Sequence, residues 1–177
     1  GNADDSGLPT GSIVYTFHNP AKDALELVYS FHAMNFMASG SGGEYVEAGQ
    51  RRFVLCQPTV DDKPWEEGAF TAELADNGTR VYTSWFRGAW FDALTMLWKK
   101  IAAGETPEAG APTEGRPSPG GSLFLPITLQ PGETRRVRLF LSWYVPKSNL
   151  SFGECQCESC GTYSPWYAGR FTNHNEV

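Results

Sequence analysis

A chain of 177 residues with 41% apolar and 14% aromatic side chains can bury a core, as one large domain or a substantial part of one. Its formal charge is −6, and its basic residues gather no more densely than Arg51-Arg52 and Arg135-Arg136-x-Arg138, which excludes the basic footprint of a nucleic-acid binder. No apolar run approaches the roughly 18 residues of a membrane span, so the expectation is a soluble chain without a transmembrane segment.

The amino terminus, GNADDSGLPT, lacks the charged and apolar regions of a signal peptide and has no initial Met. The carboxyl end, RFTNHNEV, resembles the first turn of a helix. Both ends look cut, as in a processed or truncated chain, and neither indicates a compartment.

Residues 12–18 are rich in β-branched and aromatic types, Asn19-Pro20 interrupts them, and residues 24–32 resume the pattern. This predicts two strands around a turn, although Leu25, Tyr29 and His32 also have helical spacing. ASGSGGE (38–44) predicts a loop, and RRFVLCQP (51–58) a short strand ended by Pro58. That strand places Cys56 in an apolar run, where a lone thiol behaves as a small buried hydrophobe.

AFTAELADNGTRVYTSWF predicts a hairpin. Phe70, Ala72 and Leu74 alternate on one side, Asp76-Asn77-Gly78 supplies the turn, and Val81, Thr83 and Trp85 continue the alternation. Asn-Gly permits the positive φ angles of tight hairpins.

One amphipathic helix is predicted over about residues 91–103. Phe91, Leu94, Leu97, Trp98 and Ile101 follow the i, i+3, i+4 rule, Lys99 and Lys100 suit the last turns, and Gly104 is a natural stop. Asp92 suits the start of the helix, as a cap and as a partner for the dipole. Residues 105–121 form a Pro/Gly/Glu loop, mobile or functional.

A second hairpin is predicted from SLFLPITL and TRRVRLFLSWYV through QPGE (130–133). Val137, Leu139, Leu141, Trp143 and Val145 point one way, and Arg136, Arg138 and Ser142 the other, as in a half-buried strand. The fold class expected is mainly β, an antiparallel β-sandwich with one short helix, in a single domain over 1–177 or the later part of one. Residues 162–177 are expected to start a linker towards a further domain.

ECQCESCG (154–161) concentrates Cys155, Cys157 and Cys160 in one loop. Structural zinc takes four N/S ligands, so Cys56 or His174 would have to complete the set. A disulfide and free loop thiols stand beside that reading. No cofactor is expected, with zinc as the exception that the cysteines allow.

Other chemistry is sparse. His18, His32 and His174 have no triad context, and neither G-x-S-x-G, HExxH, a P-loop nor GxGxxG occurs. Asp61-Asp62 and Glu66-Glu67 read as solvated loop, and Asp92 as a helix cap. No pair of carboxylates on rigid elements suggests acid/base catalysis, and no catalytic residue is assigned.

Four segments together resemble glycoside hydrolase family 116, of the non-lysosomal glucosylceramidase or bile-acid β-glucosidase type. They are the opening NADDSGLPTGSIVYTFHNPAKDALEL, the helix WFDALTMLWKK, the block LQPGETRRVRLFLSWYVP and the aromatic YSPWYAGRF. The resemblance implies part of an N-terminal β-sandwich domain that packs on a C-terminal (α/α)6 barrel. In that family the barrel carries the Glu nucleophile and Asp acid/base of a retaining β-glucosidase, and no residue here matches either motif.

The expected function is therefore the non-catalytic sandwich portion of a glycoside hydrolase. Its partner is the catalytic domain of the same protein, and its substrate, through the parent enzyme, a glucoside or glucosylceramide-like molecule. Trp85, Trp90, Trp166 and Tyr167 are the candidates for carbohydrate contact, since aromatic faces stack on sugars. A stand-alone carbohydrate-binding sandwich and a cysteine-based metal module are the alternatives. A truncated sandwich is also expected to expose an apolar face or an unpaired strand edge.

Overall fold

The computed structural model describes residues 2–151, 153 and 161–177. In chain order, a short helix α1 (Ala3–Ser6) precedes β1 (Thr10–His18), β2 (Leu25–Met34), β3 (Tyr45–Ala48), β4 (Arg52–Gln57), β5 (Gly68–Leu74) and β6 (Arg80–Tyr82). Helix α2 (Ala93–Ala102) then leads to β7 (Gly120–Leu129) and β8 (Thr134–Tyr144). The strands form two sheets, ordered β1-β8-β5-β4-β3 and β2-β7-β6, and every strand pairing is antiparallel. The chain is a β-sandwich, as its alternating patterns predict.

Period-two alternation builds the core. Phe53 and Leu55 of β4, Ala72 and Leu74 of β5, and Val137 and Leu139 of β8 meet Leu123 and Leu125 of β7, all at most 1% exposed. Each large side chain so buried contributes about 1.5–3 kcal/mol. Gly121 keeps the two sheets close, since a Cβ there would lie 2.5 Å from the Phe53 ring.

The turns depart from expectation. All three predicted strand pairs, β1–β2, β5–β6 and β7–β8, have their members in opposite sheets. Each connection is an arch across the core and not a hairpin. Asn77 and Gly78 both keep negative φ, so their turn does not use the left-handed geometry of an Asn-Gly hairpin. Gly132 alone among these turn residues takes positive φ, at 74°.

The arches are tied together at one end of the sandwich. Asn19, 1% exposed, donates from its amide to the carbonyls of Asp23 and Leu129, each at 2.9 Å. Its backbone N–H donates to Glu133 O and its carbonyl accepts from Gly132 N, at 2.9 and 2.8 Å. Arg135 pairs with Asp76 of the third arch.

Helix α2 begins two residues later than predicted. The Asp92 carboxylate accepts from Thr95 N at 2.8 Å, making Asp92 the N-cap and leaving Phe91 outside. Gly104, at φ 69°, ends it as expected. The helix buries only Leu97, against Trp85 and Phe124 on the outer side of the small sheet. The rest of its apolar stripe is open, with Leu94 48% and Trp98 66% exposed.

Residues 105–119 form a loop tethered to β6: Ala109 N donates to Val81 O, and Arg80 donates to Thr106. In β8 the alternation holds to Leu141 and then changes sides. Trp143 is 44% exposed, contrary to prediction, and Tyr144 is 7% exposed because residues 165–177 cover that outer face. Among the described residues no helix is long and apolar enough to cross a membrane.

Candidate functional site

Among the described residues, the outer face of the five-stranded sheet gathers a cluster of side chains of metal-ligating type. Strand register aligns Tyr45, Cys56, Ala69 and Tyr144 in a row across β3, β4, β5 and β8. Alternation sends Val46, Phe53 and Leu55 into the core, and therefore Tyr45, Glu47, Val54 and Cys56 outward. Val54 and Cys56 are nonetheless only 1% and 3% exposed, since the C-terminal segment lies over this end of the sheet.

That segment is anchored by specific bonds. The Tyr144 hydroxyl donates to Phe171 O at 3.1 Å, and the Tyr167 hydroxyl both accepts from Val145 N and donates to Val145 O. Arg52 donates to the Asn175 side chain at 2.8 Å. Glu176 accepts from both the backbone and the hydroxyl of Thr172, and Asn173 accepts from Asn175 N, closing a turn around His174.

Glu47, Cys56 and His174 thereby meet, with their carboxylate oxygen, sulfur and ring nitrogen all within 4.8 Å of one another. His174 Nε2 is 3.8 Å from Glu47 Oε2 and is buried without a hydrogen bond among the described residues. Burial pushes the Cys56 thiol up to about 12; the nearby Glu47 charge adds to this, and a hydrogen bond with Tyr45 opposes it. A cavity of about 560 Å³ with a mixed polar and apolar lining runs beside the cluster, between Thr10, Arg52, Glu73, Phe140 and His174.

The sequence singled out Cys56 and His174 as alternative completions of a cysteine set; the fold brings both to one place and adds Glu47. Glu47 was missed, although its position two residues from Tyr45 on a short strand puts it on the same face. Cys155, Cys157 and Cys160 lie outside the described residues.

The four aromatic candidates are not gathered into one site. Trp85 is a core residue, 2% exposed, and its indole donates to Ser122 Oγ at 2.9 Å. Tyr167 is half-buried by its bonds to Val145. Trp166 presents half of its surface, with the Arg170 guanidinium 5.4 Å from its ring centroid. Trp90 is 92% exposed and stands just before α2, beside the open apolar stripe of Phe91, Leu94 and Trp98. An apolar cavity of about 440 Å³ opens between that stripe and His32.

Among the described residues, the carboxylates that the fold perturbs are shifted towards the charged form. Hydrogen bonds from Thr95 hold Asp92 below its usual range, and Thr172 does the same for Glu176. Ser39 and Ser41, with Lys63, lower Glu66. Burial would raise Glu67, but Lys147 and Thr59, at 2.8 and 2.6 Å, outweigh it. A glycosidase general acid needs the opposite shift. His32 is lowered to about 4 by burial, between Ser30 and Ser122.

Residues 1–177 match the family model described as beta-glucosidase 2, glycosyl-hydrolase family 116 N-term, the family that the sequence motifs resemble. No curated protein is similar enough to add a substrate or a residue role.

Proposed function

We propose, because the chain belongs to the glycosyl-hydrolase family 116 N-terminal domain family, that it is a non-catalytic β-sandwich supporting the catalytic domain of a β-glucosidase. The match over residues 1–177 carries this reading. The catalytic partner is the (α/α)6 barrel of the same protein, and the substrate reached through it is a glucoside or a glucosylceramide-like lipid.

Two features of the surface favour a supporting role. Phe91, Leu94 and Trp98, with Trp90, leave an apolar stripe uncovered on and before α2, of the kind that marks a packing interface. Edge strands β1 and β2 face each other on one side, where Ile13, Val14 and Val28 are 40–46% exposed. The downward shifts of Glu66, Glu67, Asp92 and Glu176 also favour a structural use of those carboxylates.

The test is hydrolysis of an aryl β-glucoside by the purified 177-residue chain, beside a tryptophan-fluorescence titration with the same glucoside. No turnover and no saturable binding are expected. Turnover would overturn the reading. Binding without turnover, lost in Trp166→Ala, would favour a stand-alone carbohydrate-binding sandwich, for which the half-exposed Trp166 face is the best candidate.

A further inference from the structure

Glu47 of β3, Cys56 of β4 and His174 of the C-terminal turn converge from three separate segments on one point of the outer sheet face. We propose that these three side chains bind a divalent transition-metal ion of zinc's class, with a water as the fourth ligand. The inference goes beyond the family reading and does not depend on it.

The donor set fits such an ion. Thiolate, imidazole and carboxylate are the three side-chain ligands that zinc accepts, whereas calcium and magnesium take oxygen alone. The spacing fits as well. At 3.8 Å, His174 Nε2 and Glu47 Oε2 are too far apart for a hydrogen bond. Two ligands bonded at about 2.0–2.1 Å to one tetrahedral ion stand roughly 3.4 Å from each other, so a small side-chain adjustment closes the gap.

The surroundings are already arranged. Cys56 and Glu47 stand on adjacent strands of a rigid sheet, at diagonal positions of the same face. His174 sits in a turn closed by Glu176 and Asn173 and fastened to Arg52, and its Nε2 is buried with no hydrogen bond among the described residues. The Tyr45 hydroxyl lies against the Cys56 sulfur and can donate to a bound thiolate. A cavity of about 110 Å³ lined by Tyr45, Cys56, Glu67, Tyr144 and His174 has room for the water ligand.

Binding forms a metal–sulfur bond and releases the thiol proton to solvent, with no change of oxidation state. The ion would pin the C-terminal segment to β3 and β4, adding a fixed point to the bonds of Tyr144, Tyr167 and Arg52.

Cobalt titration of the metal-free chain tests this, in a Cys155→Ser/Cys157→Ser/Cys160→Ser background that leaves Cys56 as the sole thiol. One equivalent of cobalt should bind with a sulfur-to-metal charge-transfer band and tetrahedral visible absorption, both displaced by zinc. His174→Ala and Glu47→Gln should each weaken binding by at least about tenfold, in line with losses seen around metal sites. Absence of the band in the folded triple-serine protein, or its formation with undiminished affinity in both ligand variants, would overturn the proposal. Should the triple variant not fold, His174→Ala in the unaltered chain should remove one equivalent of cobalt; an unchanged stoichiometry would overturn it equally.

Discussion

The side-chain amide of Asn19 donates to the carbonyl of Leu129 across 2.9 Å, joining the arch between β1 and β2 to the end of β7. The same side chain holds Asp23 and Ala21, and the same backbone holds Gly132 and Glu133, so one buried residue organises two sheet crossings. Asn19→Ala removes the side-chain donor to the Leu129 carbonyl in a buried site and should cost about 1–3 kcal/mol. Urea unfolding measures this as a lower midpoint at unchanged slope. A loss under about 0.5 kcal/mol would mean that the backbone bonds alone hold the arches.

Gly121 faces the ring of Phe53, which is wholly buried. Gly121→Ala forces a methyl group to 2.5 Å from that ring and should destabilise by about 1–3 kcal/mol. Gly11 has nothing within 4 Å of its would-be Cβ, so Gly11→Ala on edge strand β1 is the control and should be near neutral. Equal effects at the two positions would contradict the close packing of the sheets.

His32 gives stability a dependence on acid. Burial lowers it from 6.5 to about 4 in the folded chain, so between those values the unfolded chain binds a proton that the folded chain does not. Stability should therefore fall as pH drops from about 6.5 to about 4 and be unaffected by His32 above that window. The contribution is on the order of 1–2 kcal/mol once solvent screening is allowed for. In His32→Gln the difference in unfolding free energy between pH 7 and pH 4 should shrink accordingly; an identical pH profile would refute the assignment.

The buried side of α2 and the open stripe on and before it should respond unequally. Leu97, 5% exposed against Trp85 and Phe124, should cost about 2–4 kcal/mol as Leu97→Ala. Trp90→Ser and Trp98→Ser, on the open stripe, should each move stability by no more than about 0.5 kcal/mol. A large loss at either tryptophan in thermal unfolding would show that the stripe packs within this chain and is not a docking face.

Much of the fold was legible because alternation and capping are local. Asp92, Gly104 and the i, i+3, i+4 stripe locate α2 to within two residues, and the strand runs around Phe70, Val137 and Tyr29 lie where the patterns put them. The arches were not legible. Phe70, Ala72 and Leu74 would face the same core whether the next strand pairs beside them or lies across from them, so the pattern is identical in a hairpin and in an arch. Trp143 misled for a related reason: alternation names a face, but cover decides burial, and residues 165–177 cover the opposite face there.

By itself the sequence determined the fold class, the longer strands, the main helix, most of the inward side chains and the family, all of which rest on short-range periodicity and contiguous motifs; the short strand β3 and the exposure of Trp143 escaped it. Only the tertiary structure decided which sheet each strand joins and which distant side chains become neighbours. Glu47, Cys56 and His174 meet because strand register places the first two and a folded-back turn delivers the third. Such a contact depends on register and chain reversal across more than a hundred residues, and neither quantity is written in any local pattern of residue types.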